Sequence, residues 1–250
     1  PDLAEFLADR YTIRMSDGVE VETDHAFVRA ELSDFGAVRE ACEGMDAIVH
    51  LGARSWEDDF DRVMVPANIQ GVRNIFEAAR REGVHRVLFA TTNHTVGMYF
   101  VADTLEVTEE AEVRPDTVYA ATKLFGEAFA RMYWERWGVS AACLRIGSYM
   151  NDRRIASGLT RAKEAMLLSR RDFAQMVRLC LEKDGLGFEI FNCLSKARNP
   201  WLSIEKAKRV LGYAPEDSVE SIFGPHAQAE PLTEDDWSWL YDADQDGMEM

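Results

Sequence analysis

Tyr119 and Lys123 stand four residues apart in the run Val118-Tyr119-Ala120-Ala121-Thr122-Lys123, and the stretch Leu124 to Trp137 that follows contains no proline. In a helix that spacing places both side chains on one face, one turn apart. A phenol beside an ammonium is a way to make a base: tyrosine alone ionises near roughly pH 10, and a nearby cation favours the phenolate. Upstream lies Thr91-Thr92-Asn93-His94, and the Thr92 hydroxyl would polarise the same substrate oxygen. A Tyr-x-x-x-Lys pair alone is a weak signal. Its position strengthens it, because it follows a buried-strand pattern ending in hydroxyl residues and opens a long helix.

The elements that must position these side chains read as follows. Asp2 to Arg10 is helical, with Leu3, Phe6 and Leu7 at helical spacing. Tyr11 to Met15 is a short strand ending at Ser16-Asp17-Gly18, and Ala26 to Arg29 is a second strand, followed by Glu31-Leu32. Ser33-Asp34 caps a helix running to Cys42, with Gly44 as its stop. Asp46 to Leu51 is a buried strand entering Gly52-Ala53, and one long helix from Asp58 to Arg81 carries Asn68 and Gly71. Arg86 to Ala90 forms the strand that ends at Thr91-Thr92, a helix begins near Asp116, and Ala141 to Ile146 is the next strand. Compact apolar strands alternating with helices predict an α/β, Rossmann-like doubly wound parallel sheet.

After Gly147 the rhythm changes. Tyr149 to Arg171 is basic and irregular, with Arg153, Arg154, Arg161, Lys163, Arg170 and Arg171. Such a stretch either faces an anionic substrate or the cofactor phosphates, or is a solvated surface. An amphipathic helix over Phe173–Leu181, a strand over Phe188–Phe191 and a capped helix over Ser203–Leu211 follow. From Glu216 the chain is acidic and weakly periodic, a tail carrying Trp237, Trp239 and Leu240. Asp242, Asp244, Asp246 and Gly247 resemble the first half of a calcium loop, but the glutamate that closes such a loop would fall past Met250. A disordered acidic end and no metal site are the expectation. The boundaries predicted are a nucleotide-binding core over 1–147, a small C-terminal substrate lobe with the last sheet strand over 148–215, and a tail over 216–250.

The 250 residues are 47% hydrophobic and 29% charged, ordinary for a globular protein with a substantial core. A formal charge of -16 argues against nucleic acid or an anionic membrane as partner. The acidity fits an acidic cytosolic protein or one from a salt-rich host. No apolar run approaches the ~20 residues of a membrane span, and no signal peptide opens the chain. Cys42, Cys143, Cys180 and Cys193 show no Cys-x-x-Cys spacing and read as reduced thiols in a cytoplasmic protein.

Three segments carry a family resemblance: Phe89-Ala-Thr-Thr-Asn-His-Thr-Val-Gly97, Arg114-Pro-Asp-Thr-Val-Tyr119 continuing through Lys123-Leu-Phe-Gly-Glu127, and Leu144-Arg-Ile-Gly-Ser148. With them the chain resembles an extended short-chain dehydrogenase/reductase of the NAD-dependent epimerase/dehydratase superfamily. Within it, the Asn-His pair after the hydroxyl residue is most similar to uronate dehydrogenases and related sugar and sugar-phosphate dehydrogenases. The resemblance implies NAD as cofactor and Tyr119 as the general base. It implies that Lys123 holds the nicotinamide ribose and lowers the tyrosine pKa, and that Thr92 stands where the family usually has serine. Asp17 would bind the adenosine ribose hydroxyls, unless it is a turn residue. Glu31 and Leu32 match the adenine side, where the family more often has Asp before that Leu. Leu51, Gly52 and Ala53 would pass the cofactor phosphates and ribose, with Asn68 bracing the neighbouring loop or serving helix packing. Ser55, Asn93, His94 and Ser148 match substrate-contacting positions, with a structural hydrogen-bonding role as the alternative for His94.

Two departures bear on this reading. No glycine-rich dinucleotide turn occurs in the chain, and the resemblance places that turn and the first strand ahead of Pro1. Uronate dehydrogenases also place an arginine shortly before a Ser-x-x-Asp-Phe segment to grip a carboxylate. Here that segment is Ser169-Arg-Arg-Asp172-Phe173, and the matching position is Ala162, flanked by Arg161 and Lys163. The function expected is NAD-dependent oxidation of a sugar hydroxyl at the anomeric carbon of an aldose, uronate or sugar phosphate, giving a lactone. A nucleotide-sugar epimerase or dehydratase and a non-catalytic NAD-binding protein are the alternatives. A homodimer paired through the helices near 58–81 and 116–137 is implied by the resemblance alone.

Overall fold

In the computed structural model, residues 2–55, 58–102 and 104–231 are described. The chain opens with helix α1 (Asp2–Leu7), strands β1 (Arg14–Asp17) and β2 (Ala26–Arg29), helix α2 (Phe35–Cys42) and strand β3 (Ala47–His50). A π-helix (Phe60–Gln70) runs into α3 (Gly71–Glu82), then come β4 (Arg86–Thr92), a 3₁₀ turn (Asn93–Val96), α4 (Met98–Val101), α5 (Val118–Trp137) and β5 (Ser140–Ile146). The remainder is β6 (Ser148–Tyr149), α6 (Asp152–Ala156), α7 (Arg161–Ala165), β7 (Leu167–Leu168), α8 (Arg170–Glu182), β8 (Phe188–Cys193), α9 (Glu205–Leu211) and α10 (Val219–Phe223).

All strand pairings are parallel, as the alternation of elements predicts, and the central sheet has the order β3-β4-β5-β8. Its two faces follow the period-2 alternation of the strands. Leu88, Ala142, Leu144, Phe191 and Cys193 point into one core with residues of α1, α8 and α9. Val87, Phe89, Ala141 and Cys143 point into the other, under α2, α3 and α5. Strands buried on both faces explain why each reads as an unbroken apolar run.

Among the described residues β1 and β2 pair only with each other, separate from the four central strands. Four expectations are corrected. The first strand starts three residues later than its apolar pattern suggests, because Tyr11 and Ile13 pack into the core as lead-in residues. The predicted helix over 58–81 is two windings: Pro66 lies inside the first, which is wound as a π-helix whose Gly71 N–H donates to the Pro66 carbonyl. The basic stretch 149–171 is ordered, with β6 and β7 paired and α6 and α7 capped by Asn151 and Thr160. The first part of the expected tail is folded too. Asp172, wholly buried, accepts the Glu216 and Asp217 N–H groups at 2.7 and 3.1 Å. Ser218 and Ser221 form a capping box on α10, which buries Val219 against Met150, Leu159 and Leu167. Trp237, Trp239, Leu240 and the Asp242–Gly247 stretch lie outside the described residues.

Candidate active site

Helix α5 meets β4 along one line of side chains, and that contact builds the site. Tyr119, Lys123 and Glu127 recur at four-residue spacing on the buried face of α5. Lys123 Nζ donates to the Ala90 carbonyl at 2.9 Å, and Thr91 Oγ1 donates to Glu127 at 3.0 Å. Gly126 lets the helix come this close: a Cβ there would sit 2.3 Å from the Phe89 ring. Glu127 also takes a bidentate pair from Arg145 of β5, at 3.0 and 2.9 Å, with both side chains buried. Thr92 ends β4, and its hydroxyl caps the 3₁₀ turn by accepting the His94 N–H at 3.3 Å. The helix itself starts where Thr117 accepts the Ala120 N–H, so Tyr119 falls in its first turn.

Burial governs how the pair ionises. The sequence suggests that Lys123 lowers the tyrosine pKa. Instead, desolvation pushes Tyr119 up to about 12 and Lys123 down to about 7. Lys123 is 2% exposed, its Nζ lies 4.8 Å from the Phe89 ring centroid and 5.7 Å from that of Tyr119, and its proton goes to a neutral carbonyl. In the chain alone both groups are driven toward their neutral forms.

Around this centre the other expected residues divide into near and far. Asn68, 1% exposed on the π-helix, accepts the Arg54 N–H at 2.8 Å and donates to the Arg54 carbonyl and to Thr122 Oγ1, both at 3.0 Å. It thereby ties the loop after β3, with Leu51, Gly52, Ala53 and exposed Ser55, to the helix of Tyr119. Leu32 lies over the same loop: a Cβ on Gly52 would be 3.2 Å from Leu32 Cδ1. Asp17 ends β1 and accepts the Val19 N–H at 3.2 Å, and Glu31 lies across Gly18. Asn93 and His94 form the turn after Thr92. Ser148 is tied to Met166 through its backbone. Arg161 is the first residue of α7, exposed, with its N–H donating to the Glu230 carbonyl.

Four participants escape sequence reasoning. Asp116 pairs both carboxylate oxygens with His94 Nδ1, at 3.1 and 2.9 Å. Glu127 and Arg145 lock α5 to the sheet. His50, buried at the end of β3, stacks on Phe89 with ring centroids 5.8 Å apart, and burial followed by the Lys123 charge pushes its pKa down to about 3. Asp116, Glu127 and Arg145 stand within the segments quoted above, but their partners are set by packing and not by spacing.

The site also fits a dinucleotide on observations of its own. Ligands of open parallel sheets bind beyond the carboxyl ends of the strands, and there Leu51 is left 46% exposed beside Gly52. A buried lysine with a further N–H donor beyond the one given to Ala90 suits ribose hydroxyls. Among the described residues no group of His, Cys, Asp and Glu side chains could hold a metal ion, and no helix is long and apolar enough to cross a membrane.

Parallel strands with a Tyr/Lys helix docked on the end of β4 define the Rossmann-like class of short-chain dehydrogenases/reductases. Residues 7–193 match the NAD dependent epimerase/dehydratase family, and the chain belongs to it, with NAD as its cofactor. It is 34% identical over 230 residues to a uronate dehydrogenase of Pseudomonas syringae pv. tomato, covering 90% of this chain and 80% of that protein. It is 33% identical over 228 residues to the NAD-dependent glucose-6-phosphate dehydrogenase of Haloferax volcanii, covering 86% of this chain and 83% of that protein. A mutant uronate dehydrogenase from Agrobacterium tumefaciens complexed with NAD superposes with a TM-score of 0.80 at 28% identity, covering 92% of this chain and 86% of that one.

Proposed function

We propose that the chain oxidises the anomeric hydroxyl of a sugar to the lactone with NAD. The observation that carries this is the register of α5 on β4, which sets Lys123 on the Ala90 carbonyl and Glu127 on the Thr91 hydroxyl, one and two turns beyond Tyr119 on the same helix. NAD, when bound, accepts a hydride from the reacting carbon. With the positively charged nicotinamide of NAD in place favouring the phenolate, Tyr119 Oη would take the hydroxyl proton, and Thr92 Oγ1 would hold the same oxygen by a hydrogen bond. Lys123 Nζ holds the ribose hydroxyls, with Leu51, Gly52 and Ala53 covering the cofactor and Asn68 fixing their loop. Asp17, Glu31 and Leu32 take the adenosine side.

Ser55, Asn93, His94 and Ser148 are assigned to the sugar. Relatives differ in their sugars, and the basic stretch helps narrow the choice. Arg170 pairs with Asp2 and Asp152, Arg171 with Glu216 and Asp217, and Lys163 donates to the Ser157 hydroxyl. Arg161, at the start of α7 beside Ala162, the position that matches the carboxylate-gripping arginine of uronate dehydrogenases, is the candidate for an anionic group on the sugar. Residues 1–147 form the cofactor half and 148–215 contribute the substrate lobe, to which 216–230 also belong. A homodimer through α3 and α5 follows from the family, and gel filtration tests it: elution near the 28.3 kDa of one chain removes it.

The activity test is NAD reduction followed by absorbance against D-glucuronate, L-arabinose and glucose 6-phosphate. Turnover of at least one is expected. Tyr119→Phe is expected to lose about 100-fold or more, the usual contribution of a positioned acid or base, with NAD still bound. Bound NAD with no turnover on any sugar would move the chain to a non-catalytic reading.

A further inference from the structure

The turn between β2 and α2 is held by side chains to which the hydride-transfer reading gives no role. Its four carbonyls, Glu31 to Asp34, all have partners, as buried backbone requires. Two are taken locally: Glu31 accepts the Asp34 N–H at 2.9 Å, and Asp34 accepts the Val38 N–H at 3.0 Å. The other two are taken from the start of α3. Asn74 Nδ2 donates to the Leu32 carbonyl at 2.8 Å, and Gln70 Nε2, directly before the helix, donates to the Ser33 carbonyl at 3.1 Å. Two carboxamides four residues apart share one helical face, and here they meet two consecutive carbonyls.

Asn74 is the buried member of the two, 1% exposed, and its amide is oriented from both ends. Its Oδ1 accepts from Arg73 Nη1 at 3.1 Å, and the Leu32 carbonyl can only accept, so Nδ2 faces it. The Arg73 guanidinium lies 5.6 Å over the Phe35 ring at the start of α2. The Leu32 side chain is wedged between two glycines. A Cβ on Gly71 would sit 2.8 Å from Leu32 Cβ, and one on Gly52 would sit 3.2 Å from Leu32 Cδ1. The turn, the start of α3 and the loop after β3 therefore pack as one unit.

We infer that Asn74 is a positioning residue for the adenosine half of the cofactor: by holding the Leu32 carbonyl, with Gln70 on the Ser33 carbonyl, it fixes the turn that presents Glu31 and Leu32. This rests on the reading that Glu31 and Leu32 take the adenosine side. Among the described residues neither carboxamide hydrogen-bonds to β4 or α5, so the effect falls on cofactor affinity and leaves the chemical step alone. Withdrawing the Asn74 donor leaves the Leu32 carbonyl unpaired, and the turn must shift to find another partner for it.

The test uses the full chain with Asn74→Leu, which keeps the volume and removes the donor, and Gln70→Met, which removes the exposed donor. Calorimetric Kd values are measured for NAD, for AMP as the adenosine half and for nicotinamide mononucleotide as the other half. In Asn74→Leu the Kd for NAD and AMP is expected to rise about threefold to tenfold, the range for one net hydrogen bond, with that for nicotinamide mononucleotide within about twofold. On the best sugar of the panel, KM for NAD is expected to rise with kcat unchanged. Gln70→Met is expected to move the AMP Kd in the same direction, and it decides the matter if Asn74→Leu does not fold. Hydrogen exchange of the Asp34 amide, which needs no ligand, is expected to quicken in both variants. A folded Asn74→Leu chain with unchanged AMP binding overturns the assignment. So do equal losses for AMP and nicotinamide mononucleotide, which would make Asn74 a general brace. Leu32→Ala separates this from the reading beneath it. If that change leaves AMP binding as in the parent, the adenosine reading fails and the assignment with it. If it weakens AMP binding while Asn74→Leu and Gln70→Met do not, the positioning role alone fails.

Discussion

The lysine at the centre of the site has an electrostatic cost that its role explains. Burial drives its pKa from 10.5 to about 7, so the folded chain gives up the proton that the unfolded chain keeps between those values. Where the unfolded state binds more protons, stability rises with pH. The rise contributed by Lys123 therefore begins near pH 7 and continues toward 10.5. The buried thiols oppose it from the alkaline side: Cys42 is raised from 9.0 to about 11, and Cys180 to about 12. Folded groups with raised pKa lose stability as pH climbs past their unfolded values, so the net gain is confined to roughly pH 7–9. Urea denaturation of the parent and Lys123→Met across that window is the check. The parent is expected to gain on the order of 1–2 kcal/mol relative to the variant, and parallel curves would mean the lysine is not desolvated as described.

At the scale of elements, the placement of α5 depends on one buried ion pair and one glycine. Removing a single partner of such a pair strands the other charge and costs about 3–5 kcal/mol, whereas replacing both with apolar side chains of similar volume is near neutral. Glu127→Ala is expected to lower the melting temperature sharply, and the double change Glu127→Leu with Arg145→Met to recover most of it. Equal melting temperatures for the parent and Glu127→Ala would remove the pair from the account. Gly126→Leu would force the helix off the Phe89 ring. Activity is expected to be lost there even where a folded chain is recovered, since Tyr119 and Lys123 ride on the same helix. The sequence shows α5 clearly through the Tyr119-to-Lys123 spacing and the proline-free run to Trp137, but it hides the π-helix. Pro66 suggests an interruption to a helical pattern, yet nothing local states that the turn widens around it and leaves Asn68 reaching both Arg54 and Thr122.

Across the whole molecule, net charge outweighs the individual surface contacts. Surface pairs such as Arg10–Glu182 and Arg131–Glu135 are half-exposed and contribute roughly 0–1 kcal/mol each, and salt weakens them. The excess of -16 has no such pairing to lose, and its self-repulsion opposes the compact state. Salt shortens the Debye length to about 10 Å at 0.1 M and about 3 Å at 1 M, so screening of repulsion wins over loss of the pairs. The melting temperature is expected to rise between ~0.02 and ~1 M KCl, by about 2–4 °C for each kcal/mol recovered. A fall would show that the pairs carry more than their exposure implies.

What the sequence determined by itself is whatever depends on near neighbours. The apolar strands of the central sheet, the cap at Asp34 and the four-residue step from Tyr119 to Lys123 are local patterns, and the structure has them where the sequence places them. The second strand, Ala26–Arg29, agrees to the residue. The tertiary structure alone decided which distant groups meet. His94 and Asp116 are 22 residues apart, Lys123 and Ala90 are 33, Thr91 and Glu127 are 36, and Asn68 and Thr122 are 54. It also decided how the central pair ionises, against the sequence expectation. Spacing can put a phenol and an ammonium on one helical face, but desolvation depends on what packs over them, and only the folded chain supplies that.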